Sequence, residues 1–488
     1  MHASDVALLD VIRALAFVGD LAMGQPIDHS PRAAWMAGQL AREAGGDGAL
    51  CTEATTVSLL RWSGCTANAP EFAQLFGDDV GGRKALLSMQ TPGSSFRAST
   101  ARSASAFLSL SRIHCEVSGD IAAQLGLAVS TQHALRHLFE SYDGTGAPDG
   151  LRGDEVPTAV YLAALAGDLD IFHRLYGIEQ ASTLIDQRAG TLYPRALATS
   201  LLSNASQWLD ALESDPAMSG ACSLDAAFVD RTTSLEILAD VIDLKLPWMT
   251  GHSRRVAESA KSTAQVLGLD DHRQQTVYRA ALIHGMGRAS VPNMIWNTPG
   301  KLPAASWERV RLAPYWTGRA AKQIGSLARE ADVASYTYER PDGSGYFRES
   351  KADHLSIEGR ILAVAAAHSA LLSDRPWRFA YGAEEGASML QDEARAGRHD
   401  ADIVDALLRK PRAAPRRAPV ANSSAGLLTE REKDVLRLVS LGASNKRVAQ
   451  QLSISPSTVR THIESVFRKL ESSTRAAATL KATHLGLL

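Results

Sequence analysis

The sequence predicts an all-α chain: two helical domains in tandem, followed by a small C-terminal helix-turn-helix bundle. Three observations lead there. The last sixty or so residues break into short capped segments whose apolar residues recur every three or four positions. The body upstream carries the same motifs twice in the same order, so one architecture is duplicated. The chain has 488 residues, 45% hydrophobic and 21% charged, which fits a globular chain of about three domains at ~150 residues each.

Taken in order, the first apolar stretch runs from Val6 to Met23. Asp10, Arg13 and Asp20 interrupt it, so it reads as an amphipathic core helix and not as a membrane span. No signal peptide is visible. Cys51, Cys65, Cys115 and Cys222 form no C-x-x-C pair, as expected of a reducing cytosol, and the expected location is cytoplasmic. A net charge of −2 excludes a nucleic-acid coat; any affinity for DNA must come from a local basic surface.

The repeat is legible in three motif pairs. Asp28-His-Ser-Pro-Arg-Ala-Ala returns as Gly251-His-Ser-Arg-Arg-Val-Ala, which sets His29 and His252 223 residues apart. Ser58-Leu-Leu-Arg-Trp-Ser-Gly returns as Ala281-Leu-Ile-His-Gly-Met-Gly at the same offset. Phe139-Glu-Ser-Tyr-Asp-Gly-Thr-Gly-Ala-Pro returns as Tyr338-Glu-Arg-Pro-Asp-Gly-Ser-Gly-Tyr at an offset of 199. The first copy therefore holds about 24 extra residues, and the Ser94–Ser105 stretch is the expected place. The expected divisions are 1–215, 216–409, a linker at 410–424, and 425–488.

The second copy resembles the HD-GYP phosphodiesterase family over roughly 235–390. Asp243-Leu-Lys with Gly251-His-Ser-Arg-Arg-Val, Ala281-Leu-Ile-His-Gly-Met-Gly, Pro299-Gly-Lys-Leu, Glu339-Arg-Pro-Asp-Gly-Ser-Gly-Tyr, and Gly359-Arg-Ile-Leu-Ala-Val-Ala with Ser373-Asp-Arg-Pro-Trp-Arg carry the resemblance. The first copy resembles the family more weakly, over about 15–180. The resemblance implies an all-helical fold. It also implies hydrolysis of phosphodiester bonds, notably in cyclic di-GMP, at two or three metals held by His and Asp, which polarise phosphoryl oxygens and supply hydroxide.

The departures weigh against that activity. The family's His-Asp pair reads His284-Gly285; its next histidine falls on Ala313, its double histidine on Thr337 and Tyr338, and its last aspartate on Ala366. In the first copy the pair reads Arg61-Trp62, the double histidine Leu138-Phe139, and the last aspartate Gly167, while His29 and His114 survive. Two imidazoles without carboxylates do not hold a cluster of hard divalent ions, so neither metal nor other cofactor is expected. A single zinc with a borrowed ligand is the alternative. His29, Arg61, Trp62, His114, Leu138 and Phe139 in one copy, and His252, His284, Thr337, Tyr338 and Ala366 in the other, then form either ordinary core or a pocket for a small apolar or amphipathic ligand. His133 and His137 stand four apart and read as surface histidines.

Residues 410–424 are rich in Pro, Ala and Arg without apolar period and read as an extended tether. Beyond them, Thr429 and Glu432 have capping-box spacing, Val435, Leu436, Leu438 and Val439 share a face, and Gly442 suits a left-handed helix stop. Ser444 caps a second helix; Ser455 caps a third, with Pro456 at its first position. Val459, Ile463, Val466 and Leu470 repeat at three and four residues. This order resembles the LuxR/GerE-type DNA-binding domain. Thr458, Arg460 and Thr461, at the start of the third helix, read as base contacts, and Lys446, Arg447, Arg468 and Lys469 as phosphate contacts. The expected DNA-binding residues are Lys446, Arg447, Thr458, Val459, Arg460, Thr461, His462, Arg468 and Lys469. Two functions follow. One is a homodimeric transcription regulator on promoter double-stranded DNA, whose inactive hydrolase-like domains sense a ligand. The other is a metal-dependent phosphohydrolase with a DNA-binding domain. The missing ligands favour the first, and no enzyme is expected.

Overall fold

The structure is a computed structural model that describes residues 4–89, 100–220, 230–322, 324–409 and 426–488. The linker, Cys222 and residues 94–99 of the expected insertion lie outside the described residues. The fold is all-α, as expected. Among the described residues the strands are two three-residue segments, Asp5–Ala7 and Thr232–Ser234. The chain divides into two compact units, Ala7–Thr233 and Met1–Val6 with Ser234–Leu488.

In the first unit, the opening apolar stretch forms the helix Leu8–Ala22, nearly all of it buried. Asp20, inside this helix, is itself buried and accepts hydrogen bonds from the Ser30 N–H (3.0 Å) and Oγ (2.6 Å). That fixes the start of the next helix, His29–Glu43. Burial, partly offset by His29 and Ser30, pushes the Asp20 carboxyl up to about 7. Asp47 caps Gly48–Leu60 by accepting from the Leu50 N–H at 2.9 Å. The long segment Thr158–Arg188 is two helices, broken where Gly177 takes a φ of 79° that a side chain would disfavour. Leu15, Leu40, Leu60, Ile121, Leu165 and Phe172 are among the fully buried core residues.

The second unit begins with Glu236–Asp243 and His252–Val266. Asp243 accepts from the Ser253 N–H and Oγ, both at 2.8 Å, as Asp20 does from Ser30. Asp271–Ile283 is capped by Asp270, and Ile357–Leu371 by Ser356. The short helix Ala328–Ser335 packs beside Asp271–Ile283, and Ala313–Ala321 packs against Ala328–Ser335 and the turn Met286–Ser290.

The C-terminal segment folds as its caps dictate. Thr429 and Glu432 form a reciprocal capping box at Glu430–Ser440. Gly442 follows with φ 84°, Ser444 caps Asn445–Leu452, and Ser455 caps Pro456–Lys469. Ser453 takes φ 53°, the left-handed stop of the second helix. A fourth helix, Arg475–His484, capped by Thr474, packs Ala478 and Ala482 against Leu428, Leu436, Val466 and Leu470.

Candidate functional sites

In the C-terminal bundle, Lys446, Arg447, Thr458, Arg460, Thr461 and Arg468 are exposed, and His462 and Lys469 are half-buried. Val459 is different: it is fully buried against Val435, Val439, Val448 and Ile463. Its expected place among the DNA contacts is therefore corrected. The 3.6-residue period turns it to the inner stripe, and a packed valine has no face left for a base. The Lys469 ammonium is bound at 2.6 Å to Glu432 Oε2, so its charge already serves the first helix. Arg460 Nε sits 2.8 Å from Glu464 Oε1 on an exposed turn. A solvated pair of this kind is weak, so the guanidinium is free to exchange partners.

In the first unit, Arg61, Trp62, His114 and Phe139 come together. The Arg61 guanidinium lies 4.5 Å over the Trp62 ring; His114 and Phe139 ring centroids are 4.9 Å apart, and Trp62 is 6.3 Å from His114. Leu138 is buried, and His114 Nε2 donates to the Arg61 carbonyl at 2.8 Å. Burial first, then Arg83 and Arg61, hold the His114 imidazole at about 3. His29 pairs instead with Asp170 at 2.8 Å, which also binds Arg32 at 2.7 Å. Arg61 Nη1 donates to the Ala163 carbonyl at 3.2 Å. A Cβ on Gly167 would stand 2.5 Å from that nitrogen, so the glycine leaves room for the guanidinium.

In the second unit, His252, His284 and Tyr338 come together around a residue that the sequence reading passed over, Arg288. The two imidazole centroids are 5.9 Å apart. Arg288 Nη2 lies 2.7 Å from His284 Nε2 and 3.2 Å from the Tyr338 hydroxyl. Arg288 is 5% exposed. Its Nη1 makes no hydrogen bond; its nearest charge is Asp243 Oδ1 at 3.8 Å. A Cβ on Gly285 would come within 2.8 Å of the same Nη1. Thus the position of the family aspartate is a glycine, and a guanidinium fills the space beside it. Burial, then Arg288, hold His284 at about 3; burial, Arg288 and His284 push His252 well below its usual range. His252 Nδ1 is 3.2 Å from Ser369 Oγ. Thr337 turns its hydroxyl onto the Ala334 carbonyl, and Ala366 is buried without a polar part. Arg375 stands over Trp248 at 4.8 Å, with its Nη1 also lacking a hydrogen bond. Burial and the like charges of Arg288 and Arg378 push it down to about 10, still charged at neutral pH. The expectation of an apolar pocket is corrected here: the retained histidines face guanidinium groups. Arg288 lies in the 3-10 turn Met286–Ser290 just after His284, so its nearness in sequence to the motif was the signal that could have found it.

Similar hydrogen bonds occur in the two units at the offsets of the motif pairs. Glu140 Oε1 accepts from the Asp149 N–H at 2.7 Å, and Glu339 Oε1 from the Arg348 N–H at 2.6 Å. Asp143 Oδ1 accepts from the Thr145 N–H and Oγ1, and Asp342 Oδ1 from the Ser344 N–H and Oγ. His137 is buried and bound to Asp149 at 3.1 Å, which corrects its reading as a surface histidine.

The family resemblance implies a metal cluster, and the residues present do not fit one. Among the described residues no three or more His, Cys, Asp or Glu side chains converge as metal ligands. No helix among them is long and apolar enough to cross a membrane.

Two family patterns match: HD domain over 236–403, and bacterial regulatory proteins of the luxR family over 426–482. The chain thus contains an HD domain and a LuxR-type DNA-binding domain. A 3′3′-cGAMP-specific phosphodiesterase 3 of Vibrio cholerae is 25% identical over 421 residues, covering 79% of this chain and 90% of the relative. A cyclic di-GMP phosphodiesterase response regulator of Xanthomonas campestris is 31% identical over 184 residues, 36% of this chain and 47% of the relative. A crystal structure of a cyclic GMP-AMP-specific phosphodiesterase of V. cholerae superposes with a TM-score of 0.59 at 23% identity, over 83% of this chain and 97% of that one, which establishes the fold. These findings overturn the expectation of a non-enzymatic regulator with inactive sensing domains. The relatives that align are phosphodiesterases, and the alternative function is the one they favour.

Proposed function

We propose that this chain is a cyclic-dinucleotide phosphodiesterase carrying a LuxR-type DNA-binding domain. The observation that carries this reading is the 421-residue alignment, which takes in nearly the whole length of a cGAMP phosphodiesterase and reaches far beyond the HD match. That reach, with the recurring Asp20–Ser30 and Asp243–Ser253 hydrogen bonds, supports two HD-like domains in tandem. The second is the catalytic one on this reading. Its buried, neutral His252 offers a ring nitrogen that orients water, His284 accepts from Arg288 and so positions it, and Arg288 offers a fixed positive charge against the phosphoryl oxygens. Positioning and charge stabilisation are the main demands of phosphoryl transfer. The DNA-binding domain works as a homodimer, since one short recognition helix makes too few contacts for a specific affinity of ~10⁻⁸ M or tighter.

The test is hydrolysis of 3′3′-cGAMP and cyclic di-GMP by the full-length chain, followed by chromatography of the linear products with manganese supplied. Linear dinucleotide that accumulates with time and disappears in His284→Ala supports the reading. Absence of turnover for both substrates overturns it. Gel shifts on promoter fragments test the other half: removing 426–482 must abolish binding.

A further inference from the structure

We propose that the DNA-binding bundle docks on the HD domain along the segment 236–252, which also walls the His252–His284–Arg288 site, so that a cyclic dinucleotide in that site and DNA on the bundle alter each other's affinity. The inference rests on the cyclic-dinucleotide reading and adds a regulated output to it. Three observations within the second unit carry it. First, one turn serves both sites. Pro247–Met249 is a 3-10 turn, in which residues three apart share a side. Pro247 and Thr250 take the side of the bundle. Thr250 Oγ1 donates at 2.8 Å to the carbonyl of Ser440, the last residue of Glu430–Ser440, and a Cβ on Gly442 would stand 3.1 Å from Pro247 Cβ. Trp248 takes another side: Arg375 lies over its ring at 4.8 Å, and its Nε1 donates to Asn297 Oδ1 at 3.0 Å. Gly251, at φ 69°, then turns the chain straight into the helix that begins with His252. Thr250 thus holds the bundle from two residues before a site imidazole. The Pro247 carbonyl also lies 2.8 Å from Thr250 Oγ1. A hydroxyl has one proton to give, so a small shift of the turn decides whether it goes to the turn or to the bundle.

Second, the bundle's fourth helix is buried on two sides. Ala478 and Ala482 face the bundle's own core. Leu480 stands about 160° round the helix from both, yet it is only 1% exposed. Glu236–Asp243 packs along this helix. His484, one turn beyond Leu480 on the same side, is near enough to Asp240 to act on its carboxyl, which burial raises and Arg254 lowers. Asp240 lies one turn before Asp243, which fixes Ser253 and stands 3.8 Å from Arg288. Both contacts with the bundle therefore fall on the short stretch of chain that sets Asp243 and His252. Third, the dock leaves the recognition surface open: Lys446, Arg447, Thr458, Arg460, Thr461 and Arg468 are all exposed. The HD domain and DNA hold different faces of one bundle, which is the condition for linkage between two sites and not for competition at one.

The experiment is titration of a promoter duplex with the full-length protein, free and saturated with a hydrolysis-resistant phosphorothioate of 3′3′-cGAMP, with nucleotide binding measured separately by calorimetry. The expected result is a change in DNA affinity of about fivefold or more on saturation, and a change in nucleotide affinity by the same factor when DNA is present. Thr250→Val keeps the shape of the side chain and removes the donor; Leu480→Ala removes packing outside the bundle's core cluster. Each is expected to bring that factor below about twofold while nucleotide and duplex still bind. Nucleotide that binds and leaves DNA affinity unchanged overturns the inference and spares the phosphodiesterase reading. A coupling that both variants retain in full also overturns it, since the dock is then not its route. Failure of the duplex to bind overturns the inference alone, and failure of the nucleotide to bind overturns the phosphodiesterase reading with it.

Discussion

Glu432 ties the DNA-binding bundle together, and removing its charge should loosen the bundle by a predictable amount. The side chain is 4% exposed. Its Oε2 accepts from the Thr429 N–H (2.7 Å), Thr429 Oγ1 (3.0 Å) and Lys469 Nζ (2.6 Å), and its Oε1 from Ser465 Oγ (2.7 Å). One carboxylate thus caps the first helix and clamps the end of the third. Burial alone would raise its pKa, but the bonds from Lys469, Thr429 and Ser465 prevail and hold it at about 2, against an ordinary 4.5. At about 1.4 kcal/mol per pH unit, that gap corresponds to ~3 kcal/mol of stability. Because the folded value is depressed, this contribution is present above pH 4.5 and is lost as pH falls through about 2. Hydrogen exchange of peptides covering Glu430–Ser440 and Pro456–Lys469, in the full chain, reads local opening directly. Glu432→Ala should speed exchange up to about 100-fold at neutral pH. After correction for intrinsic rates, wild-type protection should fall as pH drops from 4.5 towards 2, while that of Glu432→Gln stays flatter. Protection in Glu432→Ala within about threefold of wild type would refute the clamp.

Lys446→Ala should weaken all duplexes alike and reduce the salt slope by about 1, whereas Arg460→Ala should lose discrimination between sites; competition binding across salt concentrations separates them. Val459→Ala should destabilise the bundle by ~1–2 kcal/mol through lost packing, with reduced exchange protection as the readout; unchanged protection would contradict its core position. Asp170→Asn should destabilise the first unit by ~3–5 kcal/mol, because it breaks a buried cluster with His29, Arg32 and Arg174, and a fall in thermal midpoint checks it.

The C-terminal bundle was legible in the sequence because its signals are local. Capping residues, a glycine stop and a proline at the first helical position act within a single turn of chain, and each of them sits where the sequence puts it. The roles of Val459 and Lys469 were less legible, since whether a side chain reaches the groove or the interior depends on a facing helix distant in sequence. In the body the paired motifs were visible in the sequence, and the hydrogen bonds of Asp20 and Asp243 follow their register. Its chemistry was misread because absent ligands were taken as absent charge. Motif positions record what stood in one column; they are blind to Arg288, which enters from the next turn, and to the space that Gly285 and Gly167 leave. His29 illustrates the reverse: it is retained in the motif, yet it is occupied by Asp170 and does not join Arg61 and Trp62 as a free imidazole.

The most direct test of the central claim is time-resolved chromatography of 3′3′-cGAMP incubated with the purified full-length protein. The account predicts conversion to linear dinucleotide that scales with enzyme concentration and is lost in Arg288→Gln protein that retains its helical content. Intact 3′3′-cGAMP and cyclic di-GMP after prolonged incubation with folded wild-type protein, metal supplied, would contradict it.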